Sequence, residues 1–259
     1  METIKTIDGK VWEMSDILNR MLDDSFYYGY LGSNALSSSS MKKLLESPKS
    51  YVKSLNMSSD SPALSLGRLV HLAVLEPHRL DDIHVTEGTK AAKAYKDASA
   101  KFGSANVFTQ SEYTSASFIS EAVWKNKEAA ELLANCRMEV PAIKDINGYA
   151  VRGKADALSF NRIIDLKTTS ESVDRFHWTA KNYNYSLQAA LYMHLFDVDE
   201  FTFLVVNKDT KDIGIYECSG EFVQKGWDDV LRAIDAYRKY IDVADSKELV
   251  DNYIFRGIL

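Results

Sequence analysis

The sequence predicts an α/β fold with a central mixed β-sheet flanked by helices and a helical N-terminal region. Helical periodicity dominates up to about residue 135, and strand-like and helical segments then follow in the order β-β-β-α-β-β-α. The chain has 259 residues, of which 46% are hydrophobic and only 4 are proline, so it can bury a full core. We therefore expect residues 1–259 to form a single domain, with residues 1–135 mainly helical and residues 136–259 building the sheet and its flanking helices.

Helix signals occupy the first half of the chain. A cluster of serines precedes the segment MKKLLE, and Ser39 or Ser40 is expected to cap a helix that ends near Pro48. Apolar side chains at i, i+3, i+4 and i+7 spacing predict a second helix over residues 63–75. Residues 89–134 are rich in Ala, Lys and Glu, which predicts two or three further exposed helices.

The second half of the chain is strand-like from about residue 137. An Asn-Gly turn at residues 147–148 separates two strand-like runs, and a third run follows, which predicts a meander of three antiparallel strands. The expected strands are 139–143, 149–160, 162–168, 201–206 and 213–218, and the expected helices are 185–196 and 221–243.

The composition excludes several classes of function. The 2 cysteines are too few for a disulfide framework or a zinc cluster, which favours a reducing, cytoplasmic compartment. Apolar runs are much shorter than the roughly 18 residues that span a bilayer, so no membrane partner is expected. The sequence has neither a Walker lysine loop nor a dinucleotide-binding glycine motif. The formal charge of -6 argues against non-specific coating of nucleic acid but allows a local basic groove.

Two neighbouring strands carry the residues with the clearest chemistry. If the loop between them has two or four residues, Asp156 shares a face with Asp165 and Lys167, whereas a three-residue loop puts it on the opposite face. In the first case two carboxylates and an ammonium lie within about 7 Å of one another. Carboxylate oxygens bind hard cations such as Mg²⁺ or Mn²⁺, and a nearby lysine can orient or deprotonate a water. The Asp-x-Lys pattern also occurs at Asp209 and Asp245. The motif at Asp165 is therefore also consistent with an ordinary solvated strand edge.

Five short segments, in the right order, resemble one nuclease superfamily. GKADAL followed by IIDLKTT resembles the core signature of the PD-(D/E)xK nucleases, which implies a restriction-endonuclease-like core. Three further segments are similar to its RecB-like branch and especially to the RecE-type (exodeoxyribonuclease VIII-like) phage exonucleases. The resemblance covers about residues 37–206. The matching segments are GRLVH at 67–71, Glu139, GKADAL at 153–158, IIDLKTT at 163–169 and QAALY at 188–192.

The resemblance implies a metal site. Asp156, Asp165 and the backbone carbonyl of Leu166 would bind Mg²⁺, for which Mn²⁺ could substitute. His71 and Glu139 would complete the shell of this ion or bind a second one. Judged from the residues alone, His71 is more typical of a packed helix histidine and Glu139 of a strand-edge charge.

The resemblance also implies roles around the attacking water. Lys167 would activate or orient it, and Gln188 and Tyr192, one helical turn apart, would support Lys167 or the scissile strand. From the residues alone, this helical pair is also consistent with a half-buried polar shoulder beside an apolar stripe.

The implied activity is exonucleolytic cleavage of double-stranded DNA ends, 5′ to 3′, leaving 3′ single strands for recombination in a bacterial cell or phage-infected host. The implied assembly is a homo-oligomeric ring, with a single-strand annealing protein as a partner. Two alternatives are an endonuclease or structure-specific nuclease of the same superfamily and a non-catalytic DNA-binding scaffold. Expected contacts to DNA, in the region that receives the DNA end and around the site, are Ser40, Lys43, Arg68, Arg152 and Lys154.

Overall fold

The computed structural model describes residues 2–55 and 62–257 and has the mixed α/β architecture that the sequence predicts. The strands, in chain order, are β1 (Thr3–Lys5), β2 (Val11–Glu13), β3 (His84–Thr86), β4 (Val107–Thr109), β5 (Arg137–Ile146), β6 (Tyr149–Leu158), β7 (Arg162–Thr169), β8 (Glu200–Asn207) and β9 (Ile213–Glu217). The α-helices are α1 (Met14–Arg20), α2 (Leu31–Asn34), α3 (Ser38–Glu46), α4 (Pro48–Leu55), α5 (Pro62–Leu75), α6 (Lys93–Phe102), α7 (Gln110–Lys125), α8 (Lys127–Leu133), α9 (Phe176–Asn182), α10 (Tyr185–Phe196), α11 (Gly220–Tyr240) and α12 (Ser246–Asp251).

The central sheet has the strand order β5-β6-β7-β8-β9. The first three strands form the expected antiparallel meander, β8 runs parallel to β7, and β9 runs antiparallel to β8. A parallel pair needs a crossover connection, which α9 and α10 supply. The sheet is therefore mixed, as the sequence predicts.

The pairing between β6 and β7 is short, and it ends at Ala157↔Ile164. Beyond this point another segment uses the backbone of β6. The Leu36 N–H donates to the Ala150 carbonyl at 2.9 Å, and the Leu36 carbonyl accepts from the Arg152 N–H at 2.8 Å. The gap left by β7 is thus partly filled by the residue that immediately precedes Ser37, the N-cap of α3.

Apolar layers cover both faces of the sheet. On one face α10 packs against the strands and α11 packs on α10, and Leu187, Leu191 and Leu195 form the expected stripe of α10. On the other face α5 packs against β6 and β7 and α7 packs on α5, with Leu69 and Val70 buried. Burial of these stripes is the main stabilising contribution, because each buried leucine-sized side chain is worth about 1.5–3 kcal/mol.

A glycine brings α10 and α11 unusually close. A methyl group added at Gly226 of α11 would overlap the backbone carbonyl of Ser186 in the first turn of α10. This contact fixes α10, which carries Gln188 and Tyr192, against the rest of the molecule.

Two expectations about the helices were wrong in detail. Ser37, rather than Ser39 or Ser40, is the N-cap of α3, because its side chain accepts from the Ser40 N–H and Ser40 bonds back to Ser37 in a capping box. The helices within residues 89–134 are not simply exposed, since α7 buries one apolar face against α5.

The sequence signals did not predict the structure of the first 35 residues. They form the β1–β2 hairpin, α1, a π-helical turn at Ser25–Tyr30 and α2. Their apolar cluster, which includes Trp12, Ile17 and Leu31, packs on Ile143 and Ala150 of the β5–β6 hairpin. A small parallel pair, β3–β4, was also not predicted.

Candidate active site

Three acidic residues lie side by side across the meander. The β5–β6 register puts Glu139 opposite Asp156, and continuing the β6–β7 register by one residue puts Asp156 opposite Asp165. The turn between β6 and β7 closes through the Ser159 N–H, which donates to the Arg162 carbonyl at 2.9 Å, so only two residues lie between the paired ends. This even loop length is the condition under which the sequence predicts that Asp156 and Asp165 are neighbours.

Asp156 occupies the point where β6 and β7 separate. Its Oδ2 atom accepts the Leu166 N–H at 2.8 Å, a backbone donor that the broken ladder leaves without a strand partner. His71 of α5 reaches the same point: its Nδ1 lies 3.5 Å from Asp156 Oδ2, and its Nε2 lies 2.9 Å from the Leu166 carbonyl oxygen. The helix and the two strands therefore converge on one small polar region.

Glu139 adopts an unusual backbone conformation. Its φ of 50° lies in the left-handed region, which a residue other than glycine rarely adopts outside functional or strained positions. Burial and the neighbouring charge of Asp156 raise the pKa of Glu139 to about 8. The fold therefore holds Glu139 in an unfavourable backbone conformation and next to a second carboxylate.

His71, Glu139 and Asp156 form a cluster that could hold a metal ion. One ligand atom from each lies within 4.8 Å of the others. Two carboxylate oxygens and an imidazole nitrogen suit a divalent cation such as Mn²⁺ or Mg²⁺. These residues therefore fit the metal centre that the sequence predicts.

Asp165 and Lys167 lie beside this cluster, on β7. The Asp165 side chain is only 1% exposed, forms an ion pair with Lys167 and accepts from Gln188 Nε2 at 2.6 Å. Burial alone would lower the pKa of Lys167, but the carboxylates of Asp165 and Asp156 outweigh it and raise that pKa. Lys167 is thus a protonated hydrogen-bond donor, suited to orienting a water rather than to removing its proton.

Tyr192 is not a member of the cluster of His71, Glu139 and Asp156, although the charges of Asp165 and Asp156 act on its hydroxyl. The Tyr192 side chain is buried, with 8% exposed, and a methyl group added at Gly153 of β6 would lie 2.8 Å from its Cε1. Its hydroxyl interacts with the backbone of Lys154. Tyr192 of α10 therefore packs against the backbone of β6. Its helical neighbour Gln188 contacts Asp165 rather than Lys167.

Two residues of the site, Lys42 and Tyr185, were not predicted from the sequence. Lys42 of α3 lies with its Nζ 4.8 Å from the centre of the Tyr185 ring, and Lys167 Nζ lies 5.2 Å from the same ring. Burial, followed by the nearby charge of Lys167, lowers the pKa of Lys42 to about 7. Helical phase is the signal that could have found it, because Lys42 follows the buried Met41 by 100° whereas Lys43 follows it by 200°.

Three of the expected DNA contacts have protein partners instead. Arg152 is buried, donates from Nε to the Leu31 carbonyl at 3.2 Å and lies 4.1 Å from the Tyr27 ring centre. Lys154 Nζ donates to Asp24 Oδ1 at 2.9 Å. Because the first 35 residues cover Arg152 and Lys154, both side chains contact the protein itself, and their role toward DNA stays a prediction. Arg68 lies over the Phe108 ring, with its Nε and Nη2 atoms buried.

The two expected contacts on α3 are at its surface. Lys43 Nζ lies 2.8 Å from Glu46 Oε1 in an exposed ion pair, and the Ser40 hydroxyl donates to the Ser37 carbonyl at 3.0 Å as part of the cap. Neither contacts the cluster of His71, Glu139 and Asp156. Their role toward DNA stays a prediction.

The segment 24–31, which we name the N-terminal wall, borders the site. Asp24 accepts from Lys154 of β6 and from Arg79 Nη2 at 3.0 Å, so it ties this segment to the sheet and to the turn after α5. Tyr28 projects from the wall with 66% of its surface exposed. The charges of Glu139 and Asp156 both act on its hydroxyl.

Comparison with known protein families assigns the chain. Residues 37–247 match the family described as a PDDEXK-like domain of unknown function (DUF3799). The chain belongs to this family. The PDDEXK-like match begins at Ser37, the cap of α3, so the N-terminal wall lies before it, and it includes His71, Glu139, Asp156 and Asp165.

One solved structure supports the PDDEXK-like fold. A crystal structure of a "putative exonuclease" from Eubacterium rectale is 15% identical, with 92% of this chain and 95% of that chain covered and a TM-score of 0.65. A phage-related exonuclease from Haemophilus somnus 129PT is 17% identical over 80% of this chain and 95% of that chain, with a TM-score of 0.40. No curated protein matches this PDDEXK-like chain. Within residues 2–55 and 62–257, no helix combines the length and the apolar character needed to span a membrane.

Proposed function

We propose that this protein is a Mg²⁺-dependent exodeoxyribonuclease that hydrolyses phosphodiester bonds at the ends of double-stranded DNA. The observation that supports this best is the cluster of His71, Glu139 and Asp156, with its ligand atoms within 4.8 Å, next to the Asp165–Lys167 ion pair. A metal site adjoining a buried, protonated lysine suits the hydrolysis of an anionic ester better than it suits the non-catalytic binding of DNA.

In this proposal five groups hold one or two divalent cations, with Mn²⁺ able to replace Mg²⁺. They are His71, Glu139, Asp156, Asp165 and the carbonyl oxygen of Leu166. A bound cation would neutralise the charge that develops on the phosphate during in-line displacement.

The side chains around Asp165 position the attacking water and the phosphate. The Lys167 ammonium donates a hydrogen bond that orients the attacking water, and Asp165 holds the ammonium in place. Gln188 fixes the Asp165 carboxylate through its 2.6 Å hydrogen bond. Lys42, on the other side of the Tyr185 ring, adds positive charge for a phosphate oxygen.

The preference for DNA ends and the direction of degradation belong to the same proposal. The enzyme degrades the 5′ strand and leaves 3′ single strands for recombination, in the cytoplasm of a bacterial cell or phage-infected host. Copies of the chain assemble into a ring around DNA and deliver the product to a single-strand annealing protein. The Eubacterium rectale protein with the same overall fold is described as a putative exonuclease, and this description supports the exonuclease proposal. Light scattering with and without DNA measures the molar mass of the assembly and so tests whether several copies associate.

One assay tests the activity and separates it from the alternatives. A 5′-phosphorylated, 3′-labelled linear duplex and a covalently closed circle are incubated with the protein and Mg²⁺, with EDTA and the variant Lys167→Ala as controls. Loss of linear DNA from its 5′ end, with an intact circle, is expected. Cutting of the circle would indicate an endonuclease. Retarded but uncut linear DNA would indicate a binding scaffold.

A further inference from the structure

Tyr28 is an exposed aromatic residue at the rim of the site, in a part of the chain that precedes the family match. It lies in the π-helical turn Ser25–Tyr30. Turns of this type are rare and are frequently found at functional sites, because they redirect side chains that a regular helix would place elsewhere. Here the turn buries Tyr27 and leaves the next residue, Tyr28, in solvent.

Two cations of β6 fix the base of this turn. The Tyr27 ring lies 4.1 Å from the Arg152 guanidinium carbon and 4.8 Å from Lys154 Nζ, measured to the ring centre. Tyr28 packs edge-on against Tyr27, with ring centres 4.9 Å apart and planes at 82°. The exposed ring is therefore mounted on a rigid support rather than on a free loop.

The ring is also close to the metal-binding acids. Lys154 Nζ is 5.7 Å from the centre of the Tyr28 ring, and Lys154 is two residues from Asp156 on the same strand. The charges of Asp24, Glu139 and Asp156 all act on the Tyr28 hydroxyl. A substrate bound at these acids would pass next to the ring.

The charges around Tyr28 indicate which part of a nucleotide it would meet. Lys154 and Arg79 are both paired with Asp24, and Arg152 donates to Leu31, so these three cations already have partners. None of the three is therefore available to bind a phosphate. Lys42, whose positive charge would attract a phosphate oxygen, lies beside the Tyr185 ring instead. An exposed aromatic ring beside neutralised cations suits a nucleobase, because every base presents a flat π-face.

We propose that Tyr28 stacks on a nucleobase of the nucleotide next to the scissile phosphate and so sets the position of the DNA strand over the metal-binding acids. This inference rests on the proposed nuclease function. It adds a substrate-binding residue from the N-terminal wall, outside the residues that define the family.

The test combines variants of Tyr28 with a substrate that lacks bases. A duplex closed by a hairpin at one end carries, at the other end, either ordinary nucleotides or two abasic nucleotides on both strands. The initial rate of product release is measured with Mg²⁺ for the wild type, Tyr28→Ala and Tyr28→Phe. Phe118→Ala, which removes another exposed ring on α7, is the matched control. Circular dichroism and thermal melting verify that each variant folds.

On ordinary ends Tyr28→Ala is expected to lower kcat/KM by about tenfold, the range of a single base-stacking contact, while Tyr28→Phe and Phe118→Ala stay within about twofold. On abasic ends Tyr28→Ala should have no further effect, because the stacking partner is already absent. Equal rates for wild type and Tyr28→Ala on ordinary ends, or an equal loss on both kinds of end, would overturn the role of Tyr28 alone. A wild type that releases nothing from ordinary ends would overturn the nuclease proposal together with this inference.

Discussion

The Asp156 carboxylate accepts the backbone N–H of Leu166 at 2.8 Å, at the position where β6 and β7 cease to pair. A side chain thus replaces a strand partner, and the same Asp156 oxygen faces His71 at 3.5 Å. The acid has a structural and a chemical role at once, so a useful substitution has to remove one without the other.

Asp156→Asn makes this separation. The amide oxygen can still accept the Leu166 N–H, so the melting temperature should change little, whereas loss of the negative charge should lower Mg²⁺-dependent degradation of linear duplex DNA at least about 100-fold. The control is Asp209→Asn, an exposed Asp-x-Lys aspartate, which should retain full activity. Retained activity in Asp156→Asn would exclude Asp156 as a metal ligand.

Glu139 should make metal-free stability depend on pH. Its pKa is raised to about 8 from an ordinary value of 4.5, so the folded state favours the protonated form. The stability that protonated Glu139 contributes to the folded state is fully present below pH 4.5 and is lost as the pH rises through 8. Glu139→Gln resembles the protonated form at every pH. In EDTA it should therefore be more stable than the wild type at pH 8.5, on the order of 4 kcal/mol, with a much smaller difference near pH 5.

Metal should reverse that ranking. Mn²⁺ should raise the melting temperature of the wild type more than that of Glu139→Gln, since the variant lacks a ligand oxygen. Thermal melts at the two pH values, with EDTA or Mn²⁺, measure both effects. A stability difference that does not vary with pH would show that Glu139 is not held protonated.

Variants of Lys42 and Lys43 test which lysine of α3 contacts DNA. The structure favours Lys42, whereas the sequence predicts Lys43. Lys42→Ala should lower kcat/KM on DNA by about 10- to 100-fold because it removes positive charge beside Lys167, whereas Lys43→Ala, whose lysine pairs with Glu46 in solvent, should change it less than twofold. The pKa of Lys42 is lowered to about 7, so its charge is lost at alkaline pH. The ratio of wild-type to Lys42→Ala activity should consequently be larger at pH 6 than at pH 9. The reverse ranking of the two variants would favour Lys43 as the DNA contact.

Gly226→Ala tests the contact that fixes α10. The added methyl group meets the Ser186 carbonyl, so the helices have to separate, at a cost of about 3 kcal/mol in the free energy of unfolding. Activity should fall as well, because α10 carries Gln188. Gly220→Ala, where an added methyl group meets nothing within 4 Å, is the matched control and should leave unfolding by urea unchanged or slightly harder. Equal urea midpoints for the two variants would contradict the close contact.

Local patterns were sufficient to predict the meander and the pair Asp156 and Asp165. Alternation along each strand depends only on neighbouring residues, and the remaining ambiguity was the length of one turn. The partners of Arg152 and Lys154 could not be predicted in this way. Lys154 pairs with Asp24, 130 residues earlier, and nothing in the local sequence around either residue indicates the other. A basic residue on a strand looks the same whether DNA or another part of the chain covers it.

The N-terminal wall also has a consequence for how the chain is made. Asp24 and Lys154 are separated by 130 residues, and His71 and Leu166 by 95. Contacts this distant form only after much of the intervening chain is ordered. These two contacts can therefore form only after β6 and β7 have been synthesised. A fragment that ends before residue 139 would carry His71 without Glu139 and Asp156, and so would lack two of the three members of the cluster.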